Sequence, residues 1–134
     1  EIEELIKKLN LEEYVILLGY RSDVSNIIAQ LDLVVLSSLW EGLPLTPIET
    51  FSMKKTIVAT AVDGTVEIIN DGENGILIPP KDSKAIADSV LKIYNDSNLK
   101  NTMEDNAYKT YLNKFSYKKF IENYKKYYSR ILGE

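Results

Sequence analysis

The sequence predicts an α/β protein: a partial Rossmann-like three-layer domain with a parallel sheet of about four strands and C-terminal helices. Four short apolar runs recur about every 20 residues, and segments with helical spacing lie between them. Continuous apolar runs of this length are typical of strands that are covered on both faces. Strands that alternate with helices imply right-handed crossovers, and these in turn imply a parallel sheet.

The elements follow in order along the chain. Ser22 or Asp23 can cap the helix before the second strand, and Asp82 can cap the helix after the fourth. Thr46-Pro47 favours a helix start with proline at the first helical position. The predicted strands are Tyr14–Leu18, Leu33–Leu36, Thr56–Ala59 and Ile76–Ile78, and the predicted helices cover residues 2–9, 24–31, 46 onwards, 66–69, 82–94, 98–113 and 117–132.

The composition suits one globular domain with few kinds of chemistry. The chain has 134 residues, of which 45% are hydrophobic and 27% charged. It contains no cysteine and no histidine, which excludes disulfides, thiolate or histidine metal sites and a Ser-His triad. The net charge of -4 gives no global sign of nucleic-acid binding. Acid–base work must therefore fall to carboxylates, lysines or tyrosines.

The sequence predicts no membrane span, because no apolar run approaches roughly 18 residues. It also predicts no signal peptide, because the N-terminus opens as a charged helix rather than as a basic segment followed by an apolar one. We therefore expect a cytoplasmic protein. The chain begins at Glu1 rather than at methionine, and sheets of this kind usually have about six strands. Residues 1–134 are thus expected to be an incomplete domain of a longer protein.

Ligands of open α/β sheets bind at the carboxyl ends of the strands, so the loops there form the candidate site. These loops are Gly19–Arg21, Ser37–Pro44 and Thr60–Thr65. In the first, Arg21 can meet a phosphate and Tyr20 can stack on a base, although an ordinary surface arginine beside a rim aromatic remains open. In the third loop, Asp63-Gly64-Thr65 can form a glycine-permitted turn at a helix start and so belong to the candidate site. Alternatively, this turn only connects a strand to a helix.

The second loop holds two carboxylates, Glu41 and Glu49, eight positions apart. Gly42 lets the backbone approach a ligand, and a helix starting after Thr46 would turn free amides toward the same cleft. This arrangement suits a nucleotide sugar, with hydroxyls on the carboxylates and phosphates on the amides. Alternatively, Glu49 completes a capping box with Thr46, and Glu41 is a solvated loop residue.

The tail from Lys109 to Arg130 carries seven basic residues and one acidic residue, Glu122. Two interpretations stay open: a core-packing helix with a solvated basic face, or peripheral contact with anionic lipid at the inner face of the plasma membrane. Four aromatic residues lie roughly along one face, namely Phe115, Phe120, Tyr124 and Tyr128.

Taken together, these residues resemble retaining GT-B glycosyltransferases of the glycosyltransferase 4 type. The stretch Glu41–Glu49 is similar to the E-x7-E motif of that family, and Gly19–Val24 is similar to its Gly-x-x-x-Asp-Val element. The ordered set is specific and covers nearly the whole chain. Its other members are Leu33–Ser38 ("VLPS"), Ile57–Thr60 ("VVAT"), Glu67–Ile69 ("PEIV"), Asp71–Gly75 ("DGxNG"), Ile78–Pro80 ("VPP") and Phe115-Ser116 at the start of the last helix.

The resemblance implies a C-terminal domain that binds a UDP-, GDP- or ADP-sugar in a cleft between two Rossmann-like domains. Glu41 would be catalytic, accepting hydrogen bonds from sugar hydroxyls and stabilising positive charge near the anomeric carbon. Glu49 would bind the ribose, and the residues after Gly19 would line the base. The implied donor-binding residues are Gly19, Tyr20, Arg21, Ser38, Glu41, Gly42, Leu43, Pro44, Leu45 and Glu49.

It also implies retaining hexosyl transfer to a glycan or lipid-linked acceptor, which an N-terminal domain would bind, without a cofactor or an essential metal. The isolated chain is expected to be inactive. In the family's Gly-Gly-x-Pro-Glu turn, Asp63 and Val66 replace the first glycine and the proline, and an aspartate is a poor neighbour for phosphate. The alternatives are a non-catalytic nucleotide- or sugar-binding module and a GT-B nucleotide-sugar epimerase. The pair Glu41 and Glu49 favours the transferase.

Overall fold

A computed structural model describes residues 1–133 and shows helices around one small sheet. A single π-helical turn, Tyr111–Phe115, connects the last two helices, Ser97–Thr110 and Tyr117–Leu132. In chain order the elements are α1 (Ile2–Lys8), α2 (Val24–Gln30), β1 (Val34–Leu36), α3 (Leu45–Ser52), β2 (Ile57–Thr60), α4 (Asp63–Ile68), β3 (Ile76–Ile78), α5 (Ser83–Asn95), α6 (Ser97–Thr110) and α7 (Tyr117–Leu132).

The sheet is parallel, with the strand order β1-β2-β3. Val35 of β1 lies opposite Val58, and Ala59 of β2 lies opposite Leu77. All four residues of the central strand β2 are buried, as expected for a strand covered by helices on both faces. The predicted α/β class with a parallel sheet is confirmed.

The prediction of a first strand at Tyr14–Leu18 is wrong, and the sheet within residues 1–133 has three strands rather than about four. A strand needs a neighbour to exchange hydrogen bonds with, and within residues 1–133 no strand pairs with this segment. Its five side chains also remain accessible, from 38% exposure at Val15 to 80% at Tyr14. The apolar run is therefore present, but it lacks the partner that would make it a strand.

The core lies on both faces of β2, because successive side chains of a strand point in opposite directions. Ile57 and Ala59 pack with Phe51 of α3 and the residues around Ile68 of α4. Val58 faces the other side, where its cluster contains Ile78 and the α5 and α6 side chains Ile93 and Met103. Helices thus cover both faces, which fixes the carboxyl ends of β1 and β2 relative to each other.

The turn before β3 explains one of the motifs in structural terms. Asn74 is 1% exposed. Its Oδ1 accepts from the Asn70 amide at 2.8 Å, and its Nδ2 donates to the Thr110 hydroxyl at 3.1 Å. A Cβ on Gly75 would lie 2.8 Å from the carbonyl oxygen of Ile57. This turn ties β3 to β2 and α6, and it lies at the amino ends of the strands.

The capping predictions are confirmed only in part. The Asp82 carboxylate accepts a hydrogen bond from the Ala85 amide at 2.8 Å. Asp23 occupies the cap position of α2, but its side chain makes no capping bond. The Ser116 hydroxyl accepts from the Lys119 amide and thereby caps α7. Of the helices within residues 1–133, none is long and apolar enough to cross a bilayer.

Of the two interpretations of the last helix, α7, the core-packing one is wrong. None of its described residues is buried. Phe120, Tyr124 and Tyr128 follow one another at intervals of four, with ring centroids 4.4 and 6.2 Å apart. Their side chains remain 49 to 55% exposed. The aromatic residues therefore form a ladder along the helix surface rather than part of the core.

Candidate functional site

The loops after β1 and β2 lie side by side, because the two strands are parallel neighbours. The Gly64 amide at the start of α4 donates to the Glu41 carbonyl at 3.4 Å. A Cβ on Gly64 would lie 1.6 Å from the Gly42 carbonyl oxygen and 2.8 Å from Cδ of Pro44. The two loops thus meet backbone to backbone, and only glycine fits at the contact.

Glu41 stands half-buried in the first of these loops. The Ser38 hydroxyl donates to its Oε1 at 2.6 Å. Within residues 1–133 its second carboxylate oxygen accepts no hydrogen bond. A side chain that is held at one oxygen and open at the other is suited to accept hydrogen bonds from the hydroxyls of a ligand.

The capping-box interpretation of Glu49 is wrong. Helix α3 begins at Leu45 with Pro44 as its cap residue, so Pro47 stands at the third helical position rather than the first. Thr46 consequently lies inside the helix, where its carbonyl accepts from the Thr50 hydroxyl at 2.7 Å. The Glu49 carboxylate is half-buried and makes no hydrogen bond within residues 1–133.

The start of α3 supplies backbone amides at the same edge of the sheet. Leu45 and Thr46 keep their N–H groups there, whereas Pro44 and Pro47 have none. The first turn of a helix leaves such amides without partners inside the helix, and the helix dipole favours an anion beside them. Leu43 and Leu45 are more than half exposed, and Gly42 has no neighbour within 4 Å of the place of a Cβ.

The loop Gly19–Arg21 has a different environment from the Glu41 loop. Tyr20 is 97% exposed, and Gly19 has a left-handed φ of +61°. The Arg21 guanidinium binds both oxygens of Asp23 at 2.8 Å. This hydrogen-bonded pairing lowers the pKa of the Asp23 carboxyl. No hydrogen bond in the described part of the chain joins this loop to residues 41–49, and its donor-binding role stays a prediction.

Three residues around Glu41 lie in the predicted candidate loops, but the sequence assigned them no role of their own. Thr60 and Thr65 are buried, and their hydroxyls hold the loops after β1 and β2. A polar residue that ends a buried strand was the available signal for Thr60. Trp40, the single tryptophan of the chain, precedes Glu41 and is 81% exposed.

Comparisons with known proteins identify a family for this chain. The family described as "Glycosyl transferases group 1" matches residues 1–110. The N-acetyl-alpha-D-glucosaminyl L-malate synthase of Bacillus anthracis is 28% identical over 133 residues, which are 99% of this chain and 35% of that protein. The chain spans about a third of the length of such curated relatives.

Solved structures show the same fold. Anabaena Alr3699/HepE in complex with UDP superposes with a TM-score of 0.92 at 26% identity, covering 96% of this chain and 36% of that one. Its complex with UDP-glucose gives 0.83 at 28% identity, with 86% and 32% covered. The C-terminal domain of the glycosyl transferase LpcC from Francisella tularensis gives 0.77 at 33% identity, with 87% and 61% covered. On its sequence match and its fold, the chain belongs to the glycosyl transferases group 1 family.

Proposed function

We propose that this chain is the donor-binding C-terminal part of a retaining GT-B glycosyltransferase of the glycosyltransferase 4 type. The observation that carries the proposal is the Glu41 carboxylate, which Ser38 orients at 2.6 Å beside the start of α3. The proposed reaction transfers a hexosyl group from a nucleotide sugar to a glycan or a lipid-linked acceptor. No cofactor is proposed beyond the donor substrate.

In this proposal Glu41 accepts hydrogen bonds from sugar hydroxyls through its open oxygen. Its negative charge stabilises the positive charge that develops near the anomeric carbon as the bond to the diphosphate breaks. Glu49, one helical turn into α3, accepts from the ribose hydroxyls. A module that had kept only the fold would not need both carboxylates at the carboxyl ends of the strands. The pair therefore weighs against a non-catalytic module.

The leaving diphosphate would meet the amides of Leu45 and Thr46 at the start of α3. Asp63, exposed at the start of α4 beside the same edge, adds a negative charge there. We therefore propose that the turn 61–65 does not bind phosphate directly. The cations that neutralise the diphosphate, and the groups that bind the acceptor, would come from polypeptide beyond these 134 residues.

A nucleotide-sugar epimerase of the GT-B fold is the competing enzyme class. It would act on the same donor without a second substrate. Product analysis separates the two, because an epimerase converts the nucleotide sugar to its isomer without releasing nucleoside diphosphate. Release of nucleoside diphosphate that depends on an acceptor supports the transferase.

Donor binding provides the direct test. We expect one class among UDP-, GDP- and ADP-sugars to raise the melting temperature of the full-length protein, and the HepE complexes make UDP-sugars the first to try. Glu49→Gln should raise the donor KM roughly fivefold, because a charge-assisted hydrogen bond is weakened. Glu73→Gln, an exposed charge at the opposite edge of the sheet, should leave the KM unchanged. No stabilisation by any of the three classes would contradict donor binding.

We also propose that the protein works in the cytoplasm and contacts the inner face of the plasma membrane through α7. The helix that carries the exposed aromatic ladder also carries Lys118, Lys125 and Lys126, and basic helices with an apolar face bind anionic lipid. We expect the full-length protein to sediment with phosphatidylglycerol vesicles. Changing both Lys125 and Lys126 to glutamine should weaken binding to the vesicles. Changing both Lys7 and Lys8 of α1 to glutamine serves as the control and should leave binding unchanged. Equal binding to neutral phosphatidylcholine vesicles would contradict the proposal.

A further inference from the structure

A chain of buried hydroxyl groups runs beneath the Glu41 loop. Thr60, the last residue of β2, is 1% exposed. Its Oγ1 lies 2.5 Å from the Ser38 carbonyl oxygen and 3.5 Å from that of Leu36. A threonine hydroxyl has one proton to donate, and the shorter distance identifies Ser38 as its acceptor.

Thr65 holds Thr60 in turn. Its hydroxyl, which is fully buried, lies 2.6 Å from the carbonyl oxygens of both Thr60 and Val62. The same oxygen accepts from the Val62 amide at 3.1 Å. The Thr65 side chain therefore closes the turn between β2 and α4 together with two backbone hydrogen bonds, from the Val62 amide to the Thr60 carbonyl and from the Thr65 amide to the Val62 carbonyl, both at 2.9 Å. It thereby helps to fix the backbone from which the Thr60 hydroxyl projects.

Ser38 connects this buried network to the site. Strand β1 ends at Leu36, so the loop that follows has no strand ladder to hold it. The Thr60 hydroxyl binds the backbone of Ser38, and the side chain of Ser38 binds Glu41 Oε1 at 2.6 Å. The position of the carboxylate therefore depends on a residue of the neighbouring strand that cannot itself reach a ligand.

We propose that Thr60 is a positioning residue that sets the Glu41 carboxylate through the backbone and hydroxyl of Ser38. The inference rests on the proposed function, because this hydrogen-bond network affects sugar transfer only if Glu41 contacts the donor sugar. Misplacing a reacting group by a fraction of a bond length lowers the rate of the chemical step, while a distant nucleotide contact is preserved. Loss of the Thr60 hydroxyl should therefore lower kcat and leave the donor KM nearly unchanged.

The chain offers a matched control at the other end of the same strand. Thr56 is also fully buried, and its hydroxyl donates to a backbone carbonyl, that of Asn74, at 3.3 Å. It lies at the amino edge of the sheet, away from Glu41. Thr56→Val and Thr60→Val each remove one buried hydrogen bond while keeping the side-chain shape, so a purely structural role predicts the same outcome for both.

The test uses the full-length enzyme and measures kcat, donor KM and melting temperature for each variant. We expect Thr60→Val to lower kcat at least about fivefold with a KM within about twofold. Thr60→Ser, which keeps the hydroxyl, should recover most of the rate, and Thr56→Val should keep the full kcat. Equal kcat values for the two valine variants at similar melting temperatures would overturn the inference, as would a Thr60→Ser enzyme that is no faster than Thr60→Val.

Glu41→Gln, measured in the same series, separates the inference from the proposed function. A Glu41→Gln enzyme with unchanged turnover would overturn the assignment of the site itself, and the inference with it. A slow Glu41→Gln enzyme beside a fully active Thr60→Val enzyme would overturn the positioning role alone.

Discussion

Glu41→Gln is expected to lower turnover by the full-length enzyme at least about tenfold, which corresponds to about 1.4 kcal/mol of transition-state stabilisation. Glutamine keeps the size of the side chain, and its carbonyl oxygen can still accept from the Ser38 hydroxyl. The substitution therefore removes the charge while preserving the geometry of the loop. The loss should appear in kcat more than in donor KM, because the charge matters most when the anomeric carbon becomes positive.

Two controls complete this experiment. Glu73→Gln also removes one carboxylate charge, but at the amino edge of the sheet, where the Glu73 carboxylate accepts a hydrogen bond from Asn70 Nδ2 at 3.2 Å. The kcat of the Glu73→Gln enzyme should match that of the parent enzyme. The isolated 134-residue chain serves as a blank, since we expect it to transfer no sugar. Turnover by that isolated chain, or an undiminished rate for Glu41→Gln, would contradict the assignment.

Gly64→Ala is expected to be the most destabilising exchange of a glycine at the site. The new Cβ would lie 1.6 Å from the Gly42 carbonyl oxygen and 2.5 Å from its carbonyl carbon. Both obstacles are backbone atoms, so relief requires the Glu41 loop and α4 to separate. Overpacking of this kind costs on the order of 1–3 kcal/mol, or roughly 5–10 °C in Tm for a domain of this size. The separation should also break the contact between the Gly64 amide and the Glu41 carbonyl.

Gly42→Ala is the matched control for stability, because it changes the other glycine of the same contact. A Cβ there meets nothing within 4 Å. Thermal unfolding followed by circular dichroism should therefore show a normal Tm for Gly42→Ala and a lowered Tm for Gly64→Ala. A Gly64→Ala protein that unfolds at the parent temperature would show that the two loops can separate without cost.

The fold was predictable where a run of apolar residues has partners on both sides. Three of the four predicted strands are present, and Ile76–Ile78 has the predicted bounds. The failure at Tyr14–Leu18 has a physical origin: its composition is that of a buried strand, but pairing is a property of neighbours in space. The core-packing interpretation of Phe120, Tyr124 and Tyr128 was wrong for the same reason, because helical spacing defines a face of the helix and does not say what covers it.

The candidate site was predictable in its location and less so in its contacts. Strand ends and loop composition identified the region around Glu41 and Glu49, and the structure brings the loops after β1 and β2 together there. The capping role for Glu49 failed because α3 begins one residue before Thr46, within the usual uncertainty of helix ends. The links from Thr60 to Ser38 span 22 positions in sequence, and no local pattern reports a contact of that range.

Trp40 gives the loop that contains Glu41 a fluorescence signal of its own. It is the single indole of the chain, it adjoins Glu41, and it is 81% exposed in the folded protein. Because its surroundings are already aqueous, global unfolding should change its emission little, whereas a ligand that covers the loop should shift that emission toward shorter wavelengths. In this chain tryptophan fluorescence therefore reports on the occupancy of the loop that contains Glu41.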